Sequence, residues 1–111
     1  RKVNKMKVTE HIKSIADNIT NPNAEDYEDN NPNGFDYLED VLDVKWVIDS
    51  NGEYVGAELL VAFGGPNIWI HTRNNQVKGY WWGDNDIAEY EDNLGLNESC
   101  EEWYNSTIGA K

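Results

Sequence analysis

Cysteine, basic residues and long apolar runs are all scarce in this chain of 111 residues. The single cysteine, Cys100, excludes an internal disulfide, and a lone thiol is typical of a reducing compartment. No run approaches the roughly 18 apolar residues of a membrane-spanning helix, and no apolar stretch follows the basic N-terminal residues as it would in a signal peptide. We therefore expect a cytoplasmic protein that makes no membrane contact.

Basic residues are few and unevenly placed. Nine Lys and Arg stand against 21 Asp and Glu, a formal net charge of −12 at pH 7. Residues 14–111 hold four basic and twenty acidic side chains, a net charge of −16. A body of this charge repels nucleic acid and attracts basic surfaces. We expect a protein partner with a basic surface and no direct binding to nucleic acid, unless the charge serves only solubility.

Apolar residues recur with the periodicity of helices and strands over most of the chain, and they predict one domain over residues 1–111 with one core. Apolar residues recur at helical spacing through residues 1–20, and Asn21-Pro22 ends that helix. Residues 21–34 are rich in Asn, Pro and acid and lack periodicity, so we expect an acidic loop. Residues 35–111 then hold a sheet and a closing helix.

The middle of the chain predicts an antiparallel meander. Residues 42–49 and 54–63 alternate in polarity around Asn51-Gly52, a strong hairpin signal. Further strands are expected at 67–72 and 76–82, a second acidic loop at 83–95, and a helix at 97–108 with Asn97 as its N-cap. The predicted fold class is α+β, with an N-terminal helix, a four-stranded antiparallel meander and a C-terminal helix in the order α-β-β-β-β-α.

Candidate partner-binding residues lie in the two acidic loops and on one face of the sheet. Alternation places large aromatic side chains opposite the aliphatic set, where they would act as interface anchors unless a helix or loop covers them in a three-layer core. The candidates are Glu25, Asp26, Glu28, Asp29, Asp84, Asp86, Glu89, Glu91, Asp92, Trp69, Tyr80 and Trp82, with Tyr54 and His71 expected beside those aromatics.

The number of acidic residues matches that of a nucleic-acid backbone. Duplex DNA carries one negative charge per roughly 1.7 Å, so about twenty carboxylates over a domain roughly 35 Å across give a similar density. Further acidic groups fall at residues 36–43 and 98–102. Mimicry of DNA requires that these groups share one side, and scattered solvated carboxylates are the alternative.

Signals for catalysis or metal binding are weak. Asp84-Asn85-Asp86 begins like a calcium loop, but Ala88 takes the next ligand position and the turn glycine is missing. Cys100 and His71 lack the local signatures of a catalytic pair, and Cys100 falls on the apolar side of its helix. We expect no enzyme activity, no catalytic residue, no metal site and no cofactor.

The most distinctive sequence lies within residues 40–84 and includes the runs VAFGGPNIWI and GYWW. This segment resembles a recurring small acidic protein of mobile elements in low-GC Gram-positive bacteria. In size and acidity the chain is similar to the anti-CRISPR proteins of phages and plasmids. The resemblance implies an inhibitor that occupies the basic DNA-binding surface of a type II CRISPR effector nuclease in the bacterial host cell.

Two other classes stay open from the sequence. An immunity protein that neutralises a basic bacterial toxin is also small and acidic, so charge does not separate it from a nuclease inhibitor. A carbohydrate-binding module would use the aromatic sheet face with neighbouring Asp and Asn side chains.

Overall fold

The computed structural model describes residues 3–108, with side chains from residue 8 onward, so residues 1 and 2 of the predicted helix lie outside it. Within that range the chain forms a five-stranded sheet and three α-helices. The elements are α1 (Val3–Thr20), the 3-10 turns η1 (Ala24–Asp26) and η2 (Glu28–Asn30), α2 (Gly34–Leu38), β1 (Asp43–Ile48), β2 (Tyr54–Ala62), β3 (Asn67–His71), β4 (Gln76–Trp81), β5 (Asp84–Glu89) and α3 (Leu96–Thr107).

The sheet is a meander in which every pair of consecutive strands is antiparallel, in the order β1-β2-β3-β4-β5. The predicted α+β class and its flanking helices are confirmed. No helix among residues 3–108 is long and apolar enough to cross a membrane.

Strand β5 is the main difference from the prediction, because it occupies part of the expected loop at 83–95. Its sequence, DNDIAE, is poor in strand-forming residues, and its pairing with β4 decides its conformation. Trp82 and Gly83 form the connecting two-residue turn with φ of 51° and 86°, the positive values of a type I′ turn. Trp is an unusual first residue for such a turn, so the sequence gives little warning of the hairpin.

One face of the sheet, the covered face, packs under the helices. Its fully buried side chains include Leu59, Ile68, Ile70 and Val77. Helix α1 lies on β4 and β5, and α3 lies on β2. A Cβ atom at Gly79 would lie 2.9 Å from Ile12 Cγ2 and from Val8 Cγ1, so the glycine permits the close approach of α1.

Tyr54 corrects the predicted arrangement of the aromatics, because it lies on the covered face. The register between β1 and β2 shifts between Val47 and Ile48, and Tyr54 pairs with Ile48 beyond the shift. One extra residue in a strand reverses the alternation of faces. The Tyr54 hydroxyl donates to Asn97 Oδ1 at 2.7 Å, which ties the strand to α3.

Helix α3 begins differently from the prediction. Its N-cap is Gly95, with φ of 68°, instead of Asn97. The carboxylate of Asp92 accepts hydrogen bonds from the backbone N–H groups of Leu96 at 2.7 Å and Asn97 at 3.0 Å. An acid that accepts from the first N–H groups of a helix stabilises it by hydrogen bonding and by its charge.

Candidate partner-binding surfaces

Three acidic groups of the sequence meet around α2. A cleft of about 340 Å³ between the end of α1, the 3-10 turns and α2 is lined by Asp26, Glu28, Asp36, Glu39 and Asp40. The next two clefts, which α2 and α3 share, bring Glu98, Glu101 and Glu102 beside Phe35. Together with the neighbours in the turns, these carboxylates form what we call the acidic side: Glu25, Asp26, Glu28, Asp29, Asp36, Glu39, Asp40, Glu98, Glu101 and Glu102.

Within the described part of the chain, no Lys or Arg pairs with any of these ten carboxylates. Residues 21–40 and helix α3 contain no Lys or Arg, and none of the ten forms a salt bridge within the described part of the chain. Burial, and then the charges of Asp26 and Asp36, raise the pKa of Tyr27, which lines the first cleft. The acidic side therefore presents a negative surface to whatever binds it.

An apolar side chain sits within this surface. Phe35 is 47% exposed and borders both clefts between α2 and α3. An aromatic ring surrounded by carboxylates suits a partner that carries an apolar contact framed by Arg or Lys.

The second predicted acidic group, at residues 84–92, does not line these clefts. Asp84 and Glu89 are exposed at the two ends of β5, and Glu91 is exposed just beyond it. Asp86 is half-buried and accepts a hydrogen bond from Thr9 Oγ1 of α1. Since Asp92 also caps α3, two of these five candidates serve the fold.

The other sheet face, the open face, carries two of the three predicted aromatic anchors. No described helix packs on it, so the three-layer arrangement is not the one found. Trp69 is half-buried there with Lys45 Nζ 4.7 Å from its ring centroid, and Tyr80 is 40% exposed between Asn67 and Asn85 on the neighbouring strands. This face mixes aromatic, basic and amide side chains.

Trp82 lies apart from that face, in the turn beyond β4. It is 87% exposed and stacks on Trp81 with ring centroids 5.8 Å apart. Phe63 and Leu42, exposed by 73% and 61%, stand at the same end of the sheet, where β2 ends and β1 begins. These are the three most exposed large apolar side chains of the described residues.

Neither a catalytic pair nor a metal centre forms among the described side chains. Cys100 is fully buried in α3 against the covered face, and His71 lies on the open face, so the sheet separates them. Burial raises the pKa of the Cys100 thiol to about 12, which keeps it protonated and unreactive at neutral pH. No three His, Cys, Asp or Glu side chains in the described part gather to hold a metal ion.

The architecture is thus a two-layer α+β fold with an acidic helical side and an open sheet face. Comparisons of the chain with protein-family models, with curated proteins and with solved structures found no match.

Proposed function

We propose that this chain is an acidic protein inhibitor that binds the basic nucleic-acid-binding surface of a nucleic-acid-processing protein, with a CRISPR effector nuclease as the favoured target. The acidic side carries this proposal, because ten carboxylates gather there without a Lys, an Arg or a salt bridge. Ten charges equal those along about 17 Å of duplex DNA.

The mechanism is competition for a positively charged channel. CRISPR effector nucleases hold the guide–target duplex in such a channel and contact its backbone through basic side chains. Carboxylates on α2 and α3 would pair with those Lys and Arg, and Phe35 would supply an apolar contact at the centre of the patch. Charge complementarity of this kind accelerates association and weakens as salt rises.

The test titrates the protein into a guide-loaded type II CRISPR nuclease and follows DNA binding and DNA cleavage separately at two salt concentrations. The test variant reverses Glu39, Asp40, Glu98 and Glu102 to Lys. The control variant reverses Glu10, Glu53, Asp84 and Glu89, which are exposed outside the acidic side, and has the same net charge. We expect the wild type to block DNA binding, the test variant to lose inhibition by 100-fold or more (about 3 kcal/mol), and the control to stay within a few-fold.

Equal losses in both variants would show that net charge acts without a defined surface, and this would contradict the acidic side as the contact. An unaffected nuclease would contradict the favoured target, and the same pair of variants would then be tested against a basic nuclease toxin.

A further inference from the structure

A cleft of about 250 Å³ opens on the open face beside the turn between β3 and β4. Three basic side chains from three successive segments border it: His71 at the end of β3, Arg73 in the turn and Lys78 in β4. The other lining residues are Val47, Ala57, Glu58 and Asn74. The cleft therefore gathers two cations, Arg73 and Lys78, in a chain whose acids greatly outnumber its bases.

Arg73 and Lys78 have no acidic partner in the described part of the protein. Neither side chain forms a salt bridge or a hydrogen bond there. The one acid at the cleft, Glu58, lies 3.7 Å from Nδ1 of His71. Two cations that remain unpaired in so acidic a protein are available to an anion from outside.

The backbone holds Arg73 in place over the cleft. A Cβ atom at Gly56 of β2 would lie only 2.7 Å from Arg73 Cβ, so the turn packs directly on the strand because residue 56 is glycine. Asn75 closes the same turn with φ of 56°, a conformation that Asn tolerates well. The backbone and Cβ atom of Arg73 are thus held by a packed turn at the edge of the cleft.

We propose that this cleft binds a phosphate group, either as free phosphate or carried by a nucleoside monophosphate. A guanidinium fork beside an ammonium group matches the geometry and charge of phosphate oxygens. Trp69 pairs with Lys78 across the strands, so an aromatic ring lies one strand away from the anion. The net charge of −12 repels polyanions, which limits the ligand to a small one. The site lies on the opposite side of the sheet from α3 and is independent of the proposed protein partner.

The test follows the backbone amide signals of the ¹⁵N-labelled protein at pH 7 during titration with sodium phosphate, with sodium chloride and sodium acetate at matched ionic strength as controls. We expect saturable shifts within residues 71–78 in phosphate alone, with a Kd on the order of 1 mM. Arg73→Ala and Lys78→Ala should each weaken binding at least tenfold. Lys45→Ala, which removes a cation on the same face that contacts Trp69, should change it less than twofold.

A second titration compares adenosine monophosphate with inorganic phosphate. Tighter binding of the nucleotide, with shifts at Trp69, would support a nucleotide ligand, and equal affinity would support free phosphate. The proposal is overturned by an equal response to acetate or chloride, by unchanged binding in both cleft variants, or by an oligonucleotide that binds more tightly than either small ligand.

Discussion

The helical side and the open sheet face differ in charge although they belong to one small domain. The described residues of the acidic side include ten carboxylates and no Lys or Arg, whereas the open face and its adjoining turn hold Lys45, Arg73 and Lys78. A net charge of −12 averages these two surfaces and describes neither. The two surfaces therefore differ in the charge of the ligand that each would attract.

The largest expected effect on stability comes from making the same Ile→Ala substitution on each face of the sheet. Ile70 is fully buried on the covered face, and Ile87 is 47% exposed on the open face. We expect Ile70→Ala to lower the free energy of unfolding by about 2–5 kcal/mol and Ile87→Ala by less than about 1 kcal/mol, measured by urea denaturation. Similar losses would mean that the open face is packed in solution.

Alkaline pH should destabilise the covered side. Burial raises the pKa of Tyr37 and of Cys100 to about 12, and raises that of Tyr90 as well. The unfolded chain loses the Cys proton near about pH 8.5 to 9 and the Tyr protons near about pH 10, so stability is fully present below about pH 8 and falls up to about pH 12 by roughly a few kcal/mol. Urea denaturation at pH 8 and 11 measures the fall, and Cys100→Ala should move its onset towards pH 10.

His71 on the open face should destabilise the protein at acidic rather than alkaline pH. Burial, opposed by Glu58 and assisted by Lys78, lowers its pKa below the ordinary value of 6.5. The unfolded state then binds the proton more readily, and stability is lost as the pH falls below 6.5. A His71→Gln variant should lose less stability than the wild type between about pH 6.5 and pH 5, measured by urea denaturation. An equal loss in that variant would show that His71 does not cause it.

The strands and the covered face could be predicted from local sequence signals, but the two candidate surfaces could not. Alternation and Asn51-Gly52 are local signals, and they identified four strands. The face of Tyr54 depends on a register shift that no local pattern shows. The acids at 36–40 and 98–102 join because Gly34 lets α2 meet α3, where a Cβ atom would overlap Ser99 Oγ. That contact is non-local.

The proposed phosphate cleft also has a signal in the sequence. His71 and Lys78 flank one predicted turn and Arg73 lies within it, so two of the four Lys and Arg residues beyond residue 13 fall at this turn. Pairing of β3 with β4 places strand residues from both sides of a turn beside one another. Which of these side chains pairs with an acid could not be predicted, because it depends on the neighbouring strand β2, whose Glu58 lies beside His71.

A smaller effect distinguishes structural acids from surface acids. Asp92 accepts two backbone hydrogen bonds at the start of α3, whereas the side chain of Glu91 is exposed. We expect Asp92→Ala to cost about 1 kcal/mol in thermal or urea denaturation and Glu91→Ala to stay within about 0.5 kcal/mol. An equal loss in both variants would show that Asp92 does not stabilise the fold more than Glu91.

The smallest effect concerns Trp82 in the turn at the end of the sheet. Asn before Gly is preferred in a type I′ turn, and Trp disfavours a positive φ. We expect Trp82→Asn to raise the free energy of unfolding by about 0.5 kcal/mol and Trp82→Ala to give no gain. A loss in the Asn variant would show that the stacking of Trp82 on Trp81 outweighs the unfavourable turn conformation.

The hydrogen bond between Thr9 and Asp86, 77 residues apart in the chain, has a consequence for biosynthesis. Helix α1 leaves the ribosome before the sheet, but its packing surface on β4 and β5 is made only after most of the sheet. At about 5–20 residues per second, the apolar stripe of Val8, Ile12 and Ile19 stays without its native cover for on the order of 4 to 15 s. During translation the apolar stripe of α1 can reach its native packing surface only after strand β5 has emerged.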